Sequence, residues 1–279
     1  MISMKQTILI CVKEFDKAAG LAKKELTQWA KTQNISILDV TSAIEIISEK
    51  KQKEILLGVA IGGDGTFLTL VRKLARKDAF PLMGVNLGSL GFITEVNRDE
   101  MINVITQALK GKLTEEKRPL LDVEVFRKNK IVASGCVFND AAITKSRNTT
   151  MLRFDVSVAG EFLNHVRADG YIISTPTGST AYALSSGGAL IHPGVSAIEL
   201  VPICSHSLSS RPIVVPMSAE IVIEMKEPRG EASLVYDGQI SFALEQGDLL
   251  KIRDSQNFLR LLHPPQQKWS EALREKLGL

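Results

Sequence analysis

The sequence predicts an α/β domain followed by an all-β domain: an open, mostly parallel sheet with helices, then a β-sandwich-like layer structure, then a tail helix. Three observations lead there. Up to about residue 115, apolar strand-like runs alternate with helix-patterned stretches, the mark of a parallel sheet. After Arg118-Pro119 period-two alternation takes over, as in Leu121, Val123 and Val125. Pro264-Pro265 then breaks the chain before a last helical pattern. The expected division is 1–118, 119–254 and a tail at 255–279 that packs back on the first domain.

In chain order, Thr7 to Val12 is a strand, and Asp16 to Thr32 sets Ala19, Ala22, Leu26 and Trp29 or Ala30 on one helical face. Ile35 to Val40 is a second strand and Ala43 to Glu54 a mostly polar helix. Ile55 to Ile61 is apolar throughout, as a central strand buried on both faces must be. A helix from Phe67 to Ala75, a strand from Pro81 to Asn86 and a helix from Asp99 to Lys110 close the first half. Leu120 to Phe126 and Ile131 to Phe138 flank Arg127-Lys128-Asn129-Lys130, a hairpin signal. Further strands are expected at 152–158, 171–174, 197–203, 213–215, 220–225, 233–236, 240–243 and 249–252, and the tail helix at Gln267 to Leu277. There is no internal repeat, low-complexity tract or long linker.

Bulk composition narrows the class. A chain of 279 residues with 44% apolar content has enough material for one large or two moderate cores. The +3 formal charge is small, and Lys23-Lys24 and Lys50-Lys51 fall on helix faces, so no nucleic-acid partner is implied. Cys11, Cys136 and Cys204 are far apart and odd in number, without zinc spacing. Cys11 and Cys204 adjoin apolar runs, so both are expected as buried free thiols in a reducing compartment. The apolar run Ile8 to Val12 is too short for a signal peptide or a membrane span. A cytoplasmic enzyme with no membrane partner fits.

Two loops carry the chemistry. Gly62-Gly63-Asp64-Gly65-Thr66 joins the apolar strand to a helix. Glycines at such a turn admit close backbone approach, and the helix start offers N–H groups to a phosphate. It is not a Walker loop, for no Lys-Ser/Thr follows, and it lacks the third glycine of the dinucleotide fingerprint. A carboxylate in a phosphate loop would repel its ligand, unless Asp64 accepts a proton or helps hold a metal counter-ion. A plain turn in which Asp64 caps its helix is the bland alternative. One strand later, Gly84-Val85-Asn86-Leu87-Gly88-Ser89-Leu90-Gly91-Phe92 ends at the same sheet edge, where ligands of open α/β sheets bind.

The second loop lies in RADGYIISTPTGSTAYALSSGGALIHP, from Arg167 to Pro193. Small hydroxylated residues at a helix start offer N–H and O–H groups, and Tyr182 adds a face on which a base can stack. Asn139-Asp140, at the end of a strand, could cap a turn or bind a ribose diol. His165, His192, His206 and His263 are scattered, and no G-x-S-x-G elbow surrounds Ser205 to Ser210, so a hydrolase does not fit.

In that order GGDGT, NLGSLGF, Asn139-Asp140, DG-x-I-x-STPTGSTAY and Asp237-Gly238-Gln239 resemble the motifs of NAD kinases, over nearly the whole chain. GGDGT alone is shared with lipid kinases; the STPTGSTAY segment is specific. Ile93 stands where the family more often has Leu, a conservative change. The resemblance implies a cytoplasmic enzyme that phosphorylates the adenosine-ribose 2′-hydroxyl of NAD with ATP and a divalent metal, usually magnesium. It makes Asp64 the general base and Gly62, Gly63, Gly65 and Thr66 the phosphate loop. It assigns NAD contacts to Asn139, Asp140, Arg167, Asp169, Thr177, Thr180, Ala181, Tyr182, Ser185 and Gln239. It names no metal ligand, and it implies a homodimer or homotetramer with the site near a subunit interface.

Two rivals share the loop. A lipid kinase should carry an apolar groove or membrane segment, and none is legible. A non-catalytic NAD(H) or NADP(H) sensor has no use for Asp64.

Overall fold

The computed structural model describes residues 6–41, 47–74, 77–88, 91–146, 151–207, 210–227, 232–265 and 269–278. The chain divides into two compact units, residues 1–117 with 258–279, and residues 118–257.

The first unit is α/β. Its elements are β1 (Thr7–Val12), α1 (Lys17–Thr32), β2 (Ser36–Asp39), α2 (Glu49–Gln52), β3 (Ile55–Ile61), α3 (Asp64–Arg72), β4 (Leu82–Asn86), β5 (Val96–Asn97) and α4 (Met101–Leu109). Strands β4, β3, β1 and β2 lie side by side in that order, all parallel. Asp16 starts α1 by accepting the N–H groups of Ala18 and Ala19. The helix buries Ala19, Ala22, Leu26 and Ala30, the stripe its spacing predicts. They pack with Ile8, Ile10, Val59, Ile61, Val85 and, from α4, Met101 and Ile105. The opposite sheet face is tighter: a Cβ at Gly58 would stand 2.3 Å from Leu82 Cδ2, with Leu70 of α3 alongside. The helix expected over 43–54 amounts to the single turn α2, and residues 43–46 lie outside the described residues.

The second unit is all-β. It comprises β6 (Thr114–Arg127, which begins in the first unit), β7 (Lys130–Val137), β8 (Asp140–Lys145), β9 (Leu152–Val158), β10 (Glu161–Ala168) and β11 (Gly170–Ser174). The single turn α5 (Tyr182–Ser185) precedes β12 (Ala197–Ile203), β13 (Ile213–Pro216), β14 (Ile221–Glu227), β15 (Ala232–Tyr236), β16 (Ile240–Leu244) and β17 (Leu249–His263). One antiparallel sheet runs β13-β12-β11-β8-β15-β16; the other places β10, β9 and β14 beside β17, with β6 and β7 beyond. Their inner faces share one core, in which Val123, Phe154, Val156, Ile223 and Leu250 meet Ile143, Ile173, Leu200 and Leu234. That is the sandwich expected from period-two alternation.

Four features depart from the expectations. β8 falls between the expected strands at 131–138 and 152–158 and was not among them. β10 was not anticipated, because this edge strand is exposed at five of its eight positions and carries no apolar alternation. β17 runs fifteen residues and enters the first unit, where Leu261 pairs with Leu82 of β4, before α6 (Trp269–Leu277) ends the chain. Cys204, expected as buried, is exposed: it follows β12 in a left-handed turn with φ 45°. Cys11 is buried as expected, and burial pushes its thiol up to about 11.

Candidate functional site

In the first unit the site begins where β3 ends. Gly62 N donates to Val85 O at 2.8 Å, and a Cβ there would lie 2.3 Å from Thr66 Oγ1, so only glycine lets the turn close. Gly63 precedes α3 in an extended conformation, and no side chain caps the helix. The bland alternative for Asp64 therefore fails: it is the first helical residue, and its carboxylate turns to the segment after β4 instead. Oδ1 accepts Ile93 N at 3.2 Å, Thr94 N at 3.0 Å and Thr94 Oγ1 at 2.9 Å, and Oδ2 accepts Phe92 N at 3.0 Å. Gly91 makes this possible, since a Cβ there would meet Asp64 Oδ1 and Thr94 Oγ1, each at 2.1 Å.

Asn86 ends β4 and secures the same segment. Its Nδ2 donates to Thr94 O and Asn97 Oδ1, both at 3.3 Å, and its Oδ1 accepts Gly88 N at 3.2 Å. Gly63, Asp64, Gly65 and Thr66 reach solvent. Asp64, the Gly62–Thr66 turn and the glycine-rich segment are thus one hydrogen-bonded group on the carboxyl edge of the parallel sheet. Ser89 and Leu90 of that segment lie outside the described residues.

In the second unit Asn139 and Asp140 stand at a break between two strands, not at a strand end: β7 stops at Val137 and Asp140 opens β8. Asp237, in the turn after β15, holds the break. Its carboxylate accepts the N–H groups of Phe138, Asn139 and Asp140, the shortest from Asn139 at 2.7 Å. On the other side lies the Thr175–Gly178 loop. Thr175 N donates to Asn139 O at 2.9 Å and Thr175 Oγ1 to Phe138 O at 2.6 Å, and a Cβ at Gly178 would lie 2.1 Å from Asn139 O.

The result is a cluster of buried polar groups. Asn139 and Asp140 are buried, and Asn139 Oδ1 has no hydrogen-bond partner among the described residues. Burial, and then the charge of Asp237, push the Asp140 carboxyl up to about 7. Thr177 is buried, with Arg118 Nη1 donating to its Oγ1 at 3.4 Å. Thr180 and Ala181 are half-buried at the rim, Tyr182 and Ser185 are exposed on α5, and Gln239 is exposed in the turn that carries Asp237. Tyr182 presents 43% of its surface, as a stacking face must.

Arg167 and Asp169 are not brought to this cluster. They precede β11 at the end where Gly170 pairs with Thr144, whereas Ser174 at its other end pairs with Asp140. The rise per residue puts about 13 Å between those ends. Asp169 forms an ion pair with Lys145 at 2.7 Å, and Arg167 is exposed. Asp237, Gly91 and Thr94 escaped assignment from the sequence. Asp237-Gly238-Gln239 entered only among the motifs of the family resemblance, for long-range backbone bonds such as those of Asp237 leave no trace in residue spacing.

Residues 13–113 match the family model described as the ATP-NAD kinase N-terminal domain, and residues 138–263 match its C-terminal domain. A NAD kinase of Azoarcus sp. (strain BH72) is 39% identical, covering 99% of this chain and 94% of that protein. One from Nitrosospira multiformis is 36% identical, covering 100% and 97%. Among solved structures, yeast NADH kinase complexed with NADH superposes with a TM-score of 0.87 at 25% identity, covering 99% of this chain and 88% of that one. A NAD kinase from Archaeoglobus fulgidus shares the fold, with a TM-score of 0.74 at 23% identity over 98% and 97%.

Proposed function

Since the chain belongs to the NAD kinase family and is a phosphotransferase, we propose that it transfers the γ-phosphoryl group of ATP to the 2′-hydroxyl of the adenosine ribose of NAD, with Asp64 as general base. The observation that carries the reading is the state of the Asp64 carboxylate. Oδ1 holds three donors and Oδ2 one, so among the described residues Oδ2 keeps a lone pair for an incoming hydroxyl. An in-line transfer through a loose transition state asks chiefly for positioning and charge neutralisation, with the proton leaving late. The loop Gly62, Gly63, Gly65 and Thr66 supplies close backbone approach for the phosphates, and Asp64 orients the hydroxyl and receives its proton.

NAD binding falls to Asn139, Asp140, Thr177, Thr180, Ala181, Tyr182, Ser185 and Gln239. The yeast relative was solved with NADH bound, and the unpartnered Asn139 Oδ1 awaits a donor such as a ribose or adenine group. Arg167 and Asp169 stand at the far end of β11 from Asn139 and Asp140, and the reading has them meet a nucleotide held by a second copy, in a homodimer or homotetramer. Magnesium, when bound, offsets phosphate charge. No group of three or more His, Cys, Asp or Glu gathers among the described residues, and an ion carried mainly by phosphates and water needs none beyond a carboxylate such as Asp64. The three cysteines form no disulfide, in keeping with a reducing cytoplasm. No helix among the described residues is long and apolar enough to cross a membrane.

The test is incubation with NAD, ATP and magnesium, reading NADP through an NADP-specific dehydrogenase, with Asp64→Asn in parallel. NADP from the wild type and a loss of at least ~100-fold in the variant are expected. NAD binding without NADP formation would favour the sensor. Wild-type turnover in Asp64→Asn would remove Asp64 as base.

A further inference from the structure

The NAD contacts assigned to Tyr182 and Ser185 rest on α5, a four-residue turn with no side-chain cap. A turn that short does not hold itself in water. Its exit is tied back on itself: Ser186 N donates to Tyr182 O and Ala183 O, Gly187 N to Leu184 O, and Gly188 N to Ala183 O at 2.9 Å. The next residue leaves the loop altogether. Ala189 N donates to Glu199 Oε1 at 2.5 Å.

Glu199 is an odd residue where it stands. It lies in the middle of β12 with 0% of its surface exposed, and its Oε2 has no partner among the described residues. A carboxyl group there costs desolvation, which pushes it above its ordinary range, with the Ala189 N–H pulling partly the other way. Register shows what it faces. Ser174 pairs with Glu199 on one side and with Asp140 on the other. Side chains alternate along a strand, so Asp140, Ser174 and Glu199 form a buried polar row on one sheet face. The next row on that face, Ala142, Ile172 and Val201, packs Ala183 of α5. Gly188 rests directly on the carboxyl group: a Cβ there would stand 2.9 Å and 3.1 Å from its two oxygens and 2.9 Å from Ala183 O.

We infer that Glu199 is a positioning residue for the nucleotide, fastening the Gly188–Ala189 segment and so fixing where Tyr182 and Ser185 meet NAD. The inference rests on the proposed NAD-kinase reading for its ligand and on hydrogen bonds alone for its mechanics. An apolar side chain of similar size would fill the same volume, so what Glu199 adds is an acceptor for Ala189 N–H and a seat for Gly188.

The experiment compares wild type, Glu199→Gln, Glu199→Met and Gly188→Ala by steady-state kinetics and by amide hydrogen exchange over residues 182–190. Glu199→Gln keeps an acceptor and should keep KM for NAD within about twofold. Glu199→Met should raise KM for NAD about threefold to tenfold, the loss of roughly one hydrogen bond. Its kcat and KM for ATP should stay within about twofold, a split that mere loss of folded protein does not produce. Its amide exchange at Ala189 should quicken. Gly188→Ala, which pushes the segment off the carboxyl group, should raise KM for NAD in the same way. Wild-type KM and exchange in Glu199→Met would overturn the inference, as would a Glu199→Gln variant impaired like Glu199→Met. A wild type that makes no NADP would instead sink the functional reading, and exchange would still decide what Glu199 holds.

Discussion

Asp237 and Asp140 form a pair in which one carboxylate holds the backbone under the other. Asp237 Oδ1 accepts Asp140 N at 3.1 Å, and Asp237 N donates to Asp140 O at 2.9 Å. Asp140 is 4% exposed, and burial, reinforced by the Asp237 charge, lifts its carboxyl from the ordinary 3.8 to about 7. The turn that holds the 138–140 backbone thus also opposes the charge of Asp140.

This has a consequence for stability against pH. The folded value lies above the unfolded one, so between about pH 4 and 7 the native chain binds a proton that the unfolded chain has released. The native state loses stability from this group as pH rises through that window, and no further above it. Asp140→Asn carries no such charge. Thermal unfolding of the ligand-free protein should show the variant equal to wild type near pH 4 and more stable, by on the order of 1–3 kcal/mol, at pH 8. Parallel curves at both pH values would show that Asp140 is not raised in this way.

Asp237 itself should matter for affinity rather than for turnover. Asp237→Ala removes the acceptor for three consecutive backbone N–H groups. The Asn139–Asp140 backbone then loses its seat, and KM for NAD should rise by about tenfold or more. Because a nearby negative charge is gone, the pH dependence of NAD binding should also move to lower pH in this variant. A fall in kcat with KM unchanged would place Asp237 elsewhere in the reaction.

Most of the fold was legible because its signals are local. The apolar run Ile55–Ile61, buried at six of seven positions, announced a central strand, and the stripe Ala19, Ala22, Leu26, Ala30 announced a helix face. β10 was not legible, because an edge strand need satisfy only one neighbour and its outward positions answer to solvent. The site was legible where function demands unusual residues close together, as in the GGDGT and STPTGSTAY segments. Its supports were not. Asp64 reaches residues twenty-eight to thirty positions away and Asp237 ones nearly a hundred away, and Glu199 sits amid an apolar strand pattern that alone suggests nothing but core.

Gly91 should be sensitive far beyond its size. Any Cβ there meets Asp64 Oδ1 and Thr94 Oγ1 at 2.1 Å, well inside contact distance. Gly91→Ala must displace either the Asp64 carboxylate or Thr94. The expected result is a loss of kcat of about tenfold to a hundredfold, a displacement of around 1 Å at a catalytic group being enough. KM for NAD should change little, since Asn139, Asp140 and Thr177 are untouched. Full activity in Gly91→Ala would mean that the Asp64–Thr94 contact is dispensable.

The same contact separates two roles for Asp64 itself. Its carboxylate both anchors Phe92 to Thr94 and, as proposed, accepts the ribose proton. Asp64→Asn disturbs both, for an amide must aim its NH2 at a donor: with its oxygen at Oδ1, the nitrogen faces Phe92 N–H. Thr94→Val disturbs the anchor alone. It deletes the hydroxyl bond of 2.9 Å to Oδ1 while leaving the backbone bonds from Ile93 and Thr94. A hydrogen bond to a carboxylate is worth about 1.5–3 kcal/mol, but Oδ1 keeps two backbone donors without it, so Thr94→Val should lower kcat by about tenfold or less. Asp64→Asn should lose at least ~100-fold, the contribution of a positioned base. Measured side by side under saturating NAD and ATP, a wide gap between the two shows that the Asp64→Asn loss exceeds what the Thr94 hydroxyl bond contributes, as a general base requires. Equal losses would make Asp64 an anchor of the loop and send the search for the base to another residue.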